Sequence, residues 1–139
     1  MILLKDRYGR ILVAHKTNAP MNDWYLPSGG IEERENPQET FWRELNEELG
    51  FGPADVSAPR QSPITHKYTW NAGLIAKTGY EGQEQIIMIA TVREGAIADL
   101  DRTGELDRIR WVSFDDIDKA IPHKDLLATI RRVHDTGLL

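Results

Sequence analysis

Residues 29–51 read GGIEERENPQETFWRELNEELGF, and this stretch decides the fold. Asn36 is a good helix N-cap, Pro37 suits the first helical position, and Glu39 stands three residues after the cap. Gly50 suits the residue just past the end, where a positive φ is needed. The signals predict a helix over Pro37–Leu49. At 3.6 residues per turn, Glu44, Glu47 and Glu48 fall within about 100° of arc, and Phe41, Trp42, Leu45 and Leu49 take a neighbouring arc that would bury. Three carboxylates at this spacing repel one another, and two of them sit in the last turn, where the helix dipole disfavours anions. A solvated acidic face is one reading of the cluster. A hard divalent cation, held by a few carboxylates together with waters and substrate phosphates, is the other.

Working outward, Ile2–Leu4 and Ile11–Ala14 flank a turn containing Asp6 and Gly9, which is a hairpin pattern. Thr17–Asp23 reads as a loop, and Trp24-Tyr25-Leu26 as a short strand ending at Pro27-Ser28-Gly29-Gly30. Strands are expected over Ile64–Trp70, Gln85–Val92 and Arg108–Ser113. A short helix is expected over Asp115–Ala120 and a longer one from Pro122 to Asp135, with Leu126, Leu127, Ile130 and Val133 on one face. Strands and helices interleave, so the class is mixed α and β (α/β).

The chain has 139 residues, 40% hydrophobic and 28% charged, which fits one globular domain over 1–139. It contains no cysteine, which excludes disulfides, thiolate metal sites and cysteine nucleophiles. A net charge of −5 argues against a broad groove that works by neutralising many phosphates, so DNA is not an expected partner. No apolar run approaches the length of a membrane span, and Met1-Ile2-Leu3-Leu4-Lys5 does not read as a secretory leader. The expectation is a cytoplasmic protein with no membrane partner. The four histidines lack ligand-like mutual spacing, and Arg131 and Arg132 complement the dipole of the final helix.

The spacing within the opening stretch distinguishes the two readings of the glutamates. From Gly29 the chain runs five residues to Glu35, then seven residues to Arg43-Glu44-Leu45-Asn46-Glu47-Glu48-Leu49-Gly50-Phe51. This resembles the Nudix box at every fixed position. Seven fixed residues at roughly 6% usage each match by chance at an order of 10⁻⁹ per start position. The resemblance implies the Nudix fold, a mixed β-sheet sandwiched between α-helices, and an enzyme: a pyrophosphohydrolase that cleaves phosphoanhydrides. It also implies that Glu44, Glu47 and Glu48 bind magnesium or manganese with help from the Gly30 carbonyl. Glu35 and Arg43 would form a supporting ion pair, and Gly29 with Gly30 would let the backbone approach phosphates where a side chain would clash. The same ion pair can equally be structural. By resemblance, Glu47 and Glu48 take part in catalysis, and Glu105 stands where related hydrolases carry a late glutamate that acts as base or extra ligand. A solvated loop carboxylate is the plainer account of Glu105. Family members also carry more residues before the first hairpin, so the first strand is expected to be short.

A second stretch bears on substrate. Tyr68-Thr69-Trp70 followed by Lys77 to Gln85 resembles a segment of bacterial dinucleoside polyphosphate hydrolases and RNA 5′-pyrophosphohydrolases. By that analogy Lys67, Tyr68 and Tyr80 meet phosphates or stack on a base. Alternatively, Tyr68, Trp70 and Tyr80 are half-buried structural aromatics. Glu84 is acidic where the subfamily tends to be basic, and Ser28 stands where RNA-acting members often carry glutamine. Both departures favour a dinucleoside polyphosphate as the small-molecule nucleotide substrate. An RNA 5′ end and (oxidised) nucleoside triphosphates follow, and Lys16-Thr17-Asn18-Ala19-Pro20 keeps nucleotide sugars open. A nucleotide-sensing module that does not cleave, or an inactive truncated form, would be the different class of answer. No residue pattern marks an oligomer interface.

Overall fold

In the computed structural model residues 1–29, 32, 34–69, 72–79 and 82–139 are described, those at 68, 69 and 83 by their backbone. The elements in chain order are β1 (Ile2–Lys5), β2 (Ile11–Lys16), β3 (Trp24–Tyr25), α1 (Pro37–Leu49), β4 (Arg60–Gln61), β5 (His66–Thr69) and α2 (Ala72–Thr78). They continue with β6 (Gly82–Gln85), β7 (Met88–Thr91), β8 (Leu106–Val112), a 3₁₀ turn at Phe114–Asp116, α3 (Ile117–Ala120) and α4 (Lys124–Asp135).

The central sheet runs β3-β2-β1-β7-β4, with β8 paired along β2. It is mixed: β1 runs parallel to β7 from Ile2 opposite Met88 to Lys5 opposite Thr91, and the other pairings are antiparallel. Successive side chains of a strand point to opposite faces, so β1 and β2 each feed two cores. Ile2, Leu4, Leu12 and Ala14 pack with Phe41, Leu45 and Leu49 of α1. Leu3, Ile11 and Val13 pack on the other face with Leu126, Ile130 and Val133 of α4. A sheet between helices follows from that alternation.

Several elements depart from expectation. The expected strand Gln85–Val92 shrinks to β7, Met88–Thr91, and its first residue ends β6 instead, because the chain changes partners at Ile86–Ile87. β6 pairs with β5 in a separate two-stranded sheet, while β7 joins β1 and β4. β-branched residues suit either pairing, so propensity alone cannot see the break. The helix α2 and the two-residue β4 were not anticipated. α2 has seven residues and buries none of them, too short for an apolar periodicity to declare it. The expected strand Ile64–Trp70 begins later, at His66, and its last residue lies outside the described residues. The last helix starts at Lys124 rather than Pro122.

Candidate active site

The helix α1 has the bounds its caps dictate. Asn36 accepts a 2.9 Å hydrogen bond from the Glu39 amide, and Gly50 adopts φ 69° while its amide donates to the Asn46 carbonyl. Its buried face carries Leu45 and Leu49 into the core and draws Glu44 and Glu48 in beside them, leaving these two carboxylate residues only 8% and 5% exposed. Burying ionised carboxylates is costly unless something compensates.

Arg43 compensates in part. Its guanidinium donates to both Glu35 oxygens, at 2.7 and 3.0 Å, and its Nη1 reaches Glu44 at 2.7 Å and Glu47 at 3.3 Å. Glu35 also accepts from the Glu32 amide at 2.8 Å and from the Thr40 hydroxyl at 3.1 Å. These bonds, those from Arg43 foremost, hold the Glu35 carboxyl down to about 2. Glu48 is the opposite case. Burial, then the charges of Glu44 and Glu105, push its carboxyl up to about 8, and its Oε2 is buried with no hydrogen-bond partner among the described residues. Burial likewise raises Glu44.

Glu105 reaches this group from the loop ahead of β8. The Thr17 amide donates to the Glu105 carbonyl at 3.0 Å and the Thr17 hydroxyl to the Gly104 carbonyl at 2.6 Å, fixing that loop to the end of β2. One cavity of about 550 Å³ is lined by Glu44, Glu47, Glu48 and Glu105 together with Lys16 and Gly29. At Gly29 the backbone lies so close to Glu44 that a Cβ would stand 1.9 Å from its Cδ, so no side chain fits without moving that carboxylate. A second cavity of about 260 Å³ shares Ser28, Gly29 and Glu44 with the first. It extends between Ile2, Phe41 and Met88 towards Glu84 and Gln85 of β6.

The structure thus brings Glu44, Glu47, Glu48, Glu105 and Gly29 to one cavity, with the Glu35–Arg43 pair directly behind them. Lys67 lines neither cavity and pairs with Glu84 across the β5–β6 sheet at 3.7 Å. Gly30 and Tyr80 lie outside the described residues, and Tyr68 is described by its backbone, opposite Gln83. Lys16 was not singled out as a site cation. Its signal was a lone basic residue closing an apolar strand, and its ammonium sits 5.1 Å from the Tyr25 ring centre.

With Arg43 drawn onto Glu44 and Glu47, no three His, Asp or Glu side chains among the described residues converge as a metal ion requires. The donor set nonetheless suits a hard cation. Four carboxylates face one space, and one buried oxygen lacks a partner among the described residues.

A family model described as a NUDIX domain matches residues 1–131. The RNA pyrophosphohydrolase of Halorhodospira halophila is 34% identical over 118 residues, covering 81% of this chain and 64% of that protein. That of Alkalilimnicola ehrlichii is 34% identical over 119 residues, covering 81% and 65%. The chain therefore spans less than two-thirds of the length of these relatives. The crystal structure of a C. elegans Ap4A hydrolase binary complex superposes with a TM-score of 0.70 at 13% identity, covering 98% of this chain and 95% of that one. At that identity the likeness is one of fold.

Proposed function

The chain belongs to the Nudix family, and from that premise we propose that it hydrolyses a phosphoanhydride in a nucleoside polyphosphate with the help of magnesium or manganese. The observation that carries the reading is the single cavity lined by Glu44, Glu47, Glu48 and Glu105 and reached by Lys16. Glu44, Glu47 and Glu48 would hold the ion, with Gly30 adjoining in sequence. A divalent ion bound there offsets phosphate charge and lowers the pKa of an attacking water. The remaining work falls to the chain itself. Lys16 is the cation placed to meet a phosphate oxygen, Gly29 lets the phosphates approach the backbone, and Arg43 with Glu35 keeps the glycine turn against α1. Glu105 is the candidate base, since it lines the cavity from the loop ahead of β8, outside α1, and is free of ion pairs among the described residues.

The substrate reading rests on the two cavities that share Ser28, Gly29 and Glu44. Phosphates lie in the acidic one, and an attached group extends past Ser28 and Glu44 into the smaller one. A dinucleoside polyphosphate fits that division. The RNA 5′ end is the second reading, favoured by the relatives from H. halophila and A. ehrlichii that are described as RNA pyrophosphohydrolases. Chromatographic product analysis on diadenosine tetraphosphate, 5′-triphosphorylated RNA, nucleoside triphosphates, ADP-ribose and a nucleotide sugar, with each metal, tests both. Metal-dependent cleavage of the dinucleotide or the RNA is expected. Silence across the panel with retained nucleotide binding would replace the enzyme by a sensing module.

A further inference from the structure

The smaller cavity has mixed walls, with Ile2, Phe41, Ile86 and Met88 lining it beside Ser28, Thr40 and Glu84, and its volume of about 260 Å³ lies just below the ~300–1,000 Å³ of sites for drug-sized ligands. It is a space for one ring system. Its polar specificity then depends on the few polar groups that line it, and Glu84 is distinctive among them. The Thr65 hydroxyl donates to Glu84 Oε1 at 2.6 Å, and the Lys67 ammonium stands 3.7 Å from the same oxygen. The hydroxyl takes one acceptor position of Oε1, and at 3.7 Å the ammonium takes none by hydrogen bonding, so Oε1 keeps one position and, among the described residues, Oε2 has no partner. The side chain is 55% exposed, held from one side and open on the other. An ionised carboxylate only accepts hydrogen bonds, and each of its oxygens accepts two.

That edge can be matched against the bases. Two adjacent acceptors need two adjacent donors, and on its Watson–Crick edge only guanine, with N1–H beside N2–H₂, offers them. Adenine and cytosine set one amino donor beside a ring-nitrogen acceptor, whose lone pair would face the carboxylate. Uracil sets one N–H between two carbonyls. We propose that the cavity between Ile2, Phe41 and Met88 takes a guanine base and that Glu84, held by Thr65 and Lys67, is the residue that selects it. The proposal rests on the reading that the adjoining acidic cavity holds the phosphates.

A well-formed bidentate contact to a base discriminates by about 1–3 kcal/mol, and the exposure of Glu84 puts the expected preference near the lower part of that range, about tenfold. The test has two arms on the wild type, Glu84→Gln and Glu84→Ala: calorimetric binding of GMP and AMP, and hydrolysis of diguanosine and diadenosine tetraphosphate. The wild type is expected to favour guanine about tenfold in both arms. Glutamine sets one acceptor beside one donor, the complement of adenine's edge, so Glu84→Gln should turn the ratio towards adenine. Alanine should bring the ratio near unity without gaining adenine, which separates reading of the edge from loss of a charge. Equal binding of GMP and AMP by the wild type, or an unchanged ratio in Glu84→Gln, overturns the proposal. Guanine-selective binding without hydrolysis leaves it standing and removes the catalytic reading. Equal hydrolysis of both dinucleotides with equal binding does the reverse.

Discussion

The Arg43 guanidinium grips both oxygens of Glu35 across eight residues of chain, and the same Nη1 that reaches Glu44 also reaches Glu47. One side chain therefore ties the turn after Gly29 to the helix and lies across two of the carboxylates that face the cavity. Planar, bidentate pairing is what arginine does and lysine cannot.

Glu35→Gln should lower the melting temperature, because the grip loses its charge-assisted character. Glu35 sits at about 2 when folded, below its ordinary 4.5, so its contribution is complete above the ordinary value and is lost as pH falls towards the folded one. Thermal melts of wild type and Glu35→Gln should thus differ at pH 6 and converge between pH 4.5 and pH 2. Parallel curves over that range would show that Glu35 does not hold the turn through its charge.

Glu48→Gln tests the other kind of carboxylate. The native group is buried, has an unpartnered oxygen and is pushed up to about 8, so the folded protein gains little from its charge. Removing that charge should leave the melting temperature of the metal-free protein unchanged or slightly raised. Hydrolysis should fall about a hundredfold or more, the scale seen when a preorganised electrostatic group is removed. Calorimetric binding of manganese should weaken in parallel. A variant as active as the wild type would end the assignment of Glu48 as a ligand.

Glu105→Gln separates a base from a ligand. As a base, Glu105 contributes about 10²–10⁴-fold to turnover and little to metal affinity. The variant should slow hydrolysis on that scale while manganese binds as before. A matching loss of manganese affinity would make Glu105 a ligand instead.

Much of this was legible because the signals are local. Asn36, Pro37 and Gly50 delimit α1 within one stretch of chain, and the apolar runs Ile2–Leu4 and Ile11–Ala14 on either side of a turn announce the hairpin that pairs β1 with β2. What escaped was set by partners distant in sequence. The break at Ile86–Ile87 exists because β6 and β7 pair with different strands, and the β-branched run through it gives no local sign of the change. Lys16 reads as an ordinary end-of-strand lysine until β8 pairs alongside β2 and brings Glu105 next to it. Lys67 carried a phosphate expectation from its segment, but cross-strand register gives it Glu84 as a neighbour. Arg43's reach to Glu44 and Glu47 was likewise hidden, since the spacing specifies only its pairing with Glu35.

His66 supplies a second acid transition, at a different pH and for a different reason. Its Nδ1 lies 2.8 Å from the Thr129 hydroxyl, which itself donates to the Asp125 carbonyl at 3.1 Å. A hydroxyl has one proton, so Thr129 accepts from His66 and the ring is held with its proton on Nδ1. The contact joins β5, and with it the hairpin that bears Glu84, to α4. Burial pushes the His66 imidazole below its ordinary 6.5, so the folded state resists a proton that the unfolded chain takes. Stability should therefore be complete above pH 6.5 and decline as pH falls below it, well above the window in which Glu35 titrates. Thr129→Val removes the acceptor while keeping the shape, and should cost about 1–3 kcal/mol at pH 7.5 by chemical denaturation. His66→Gln should flatten the decline between pH 6.5 and pH 5 and leave the Glu35 window untouched. If the slope over that interval survives in His66→Gln, another group titrates there and the buried imidazole is not its source.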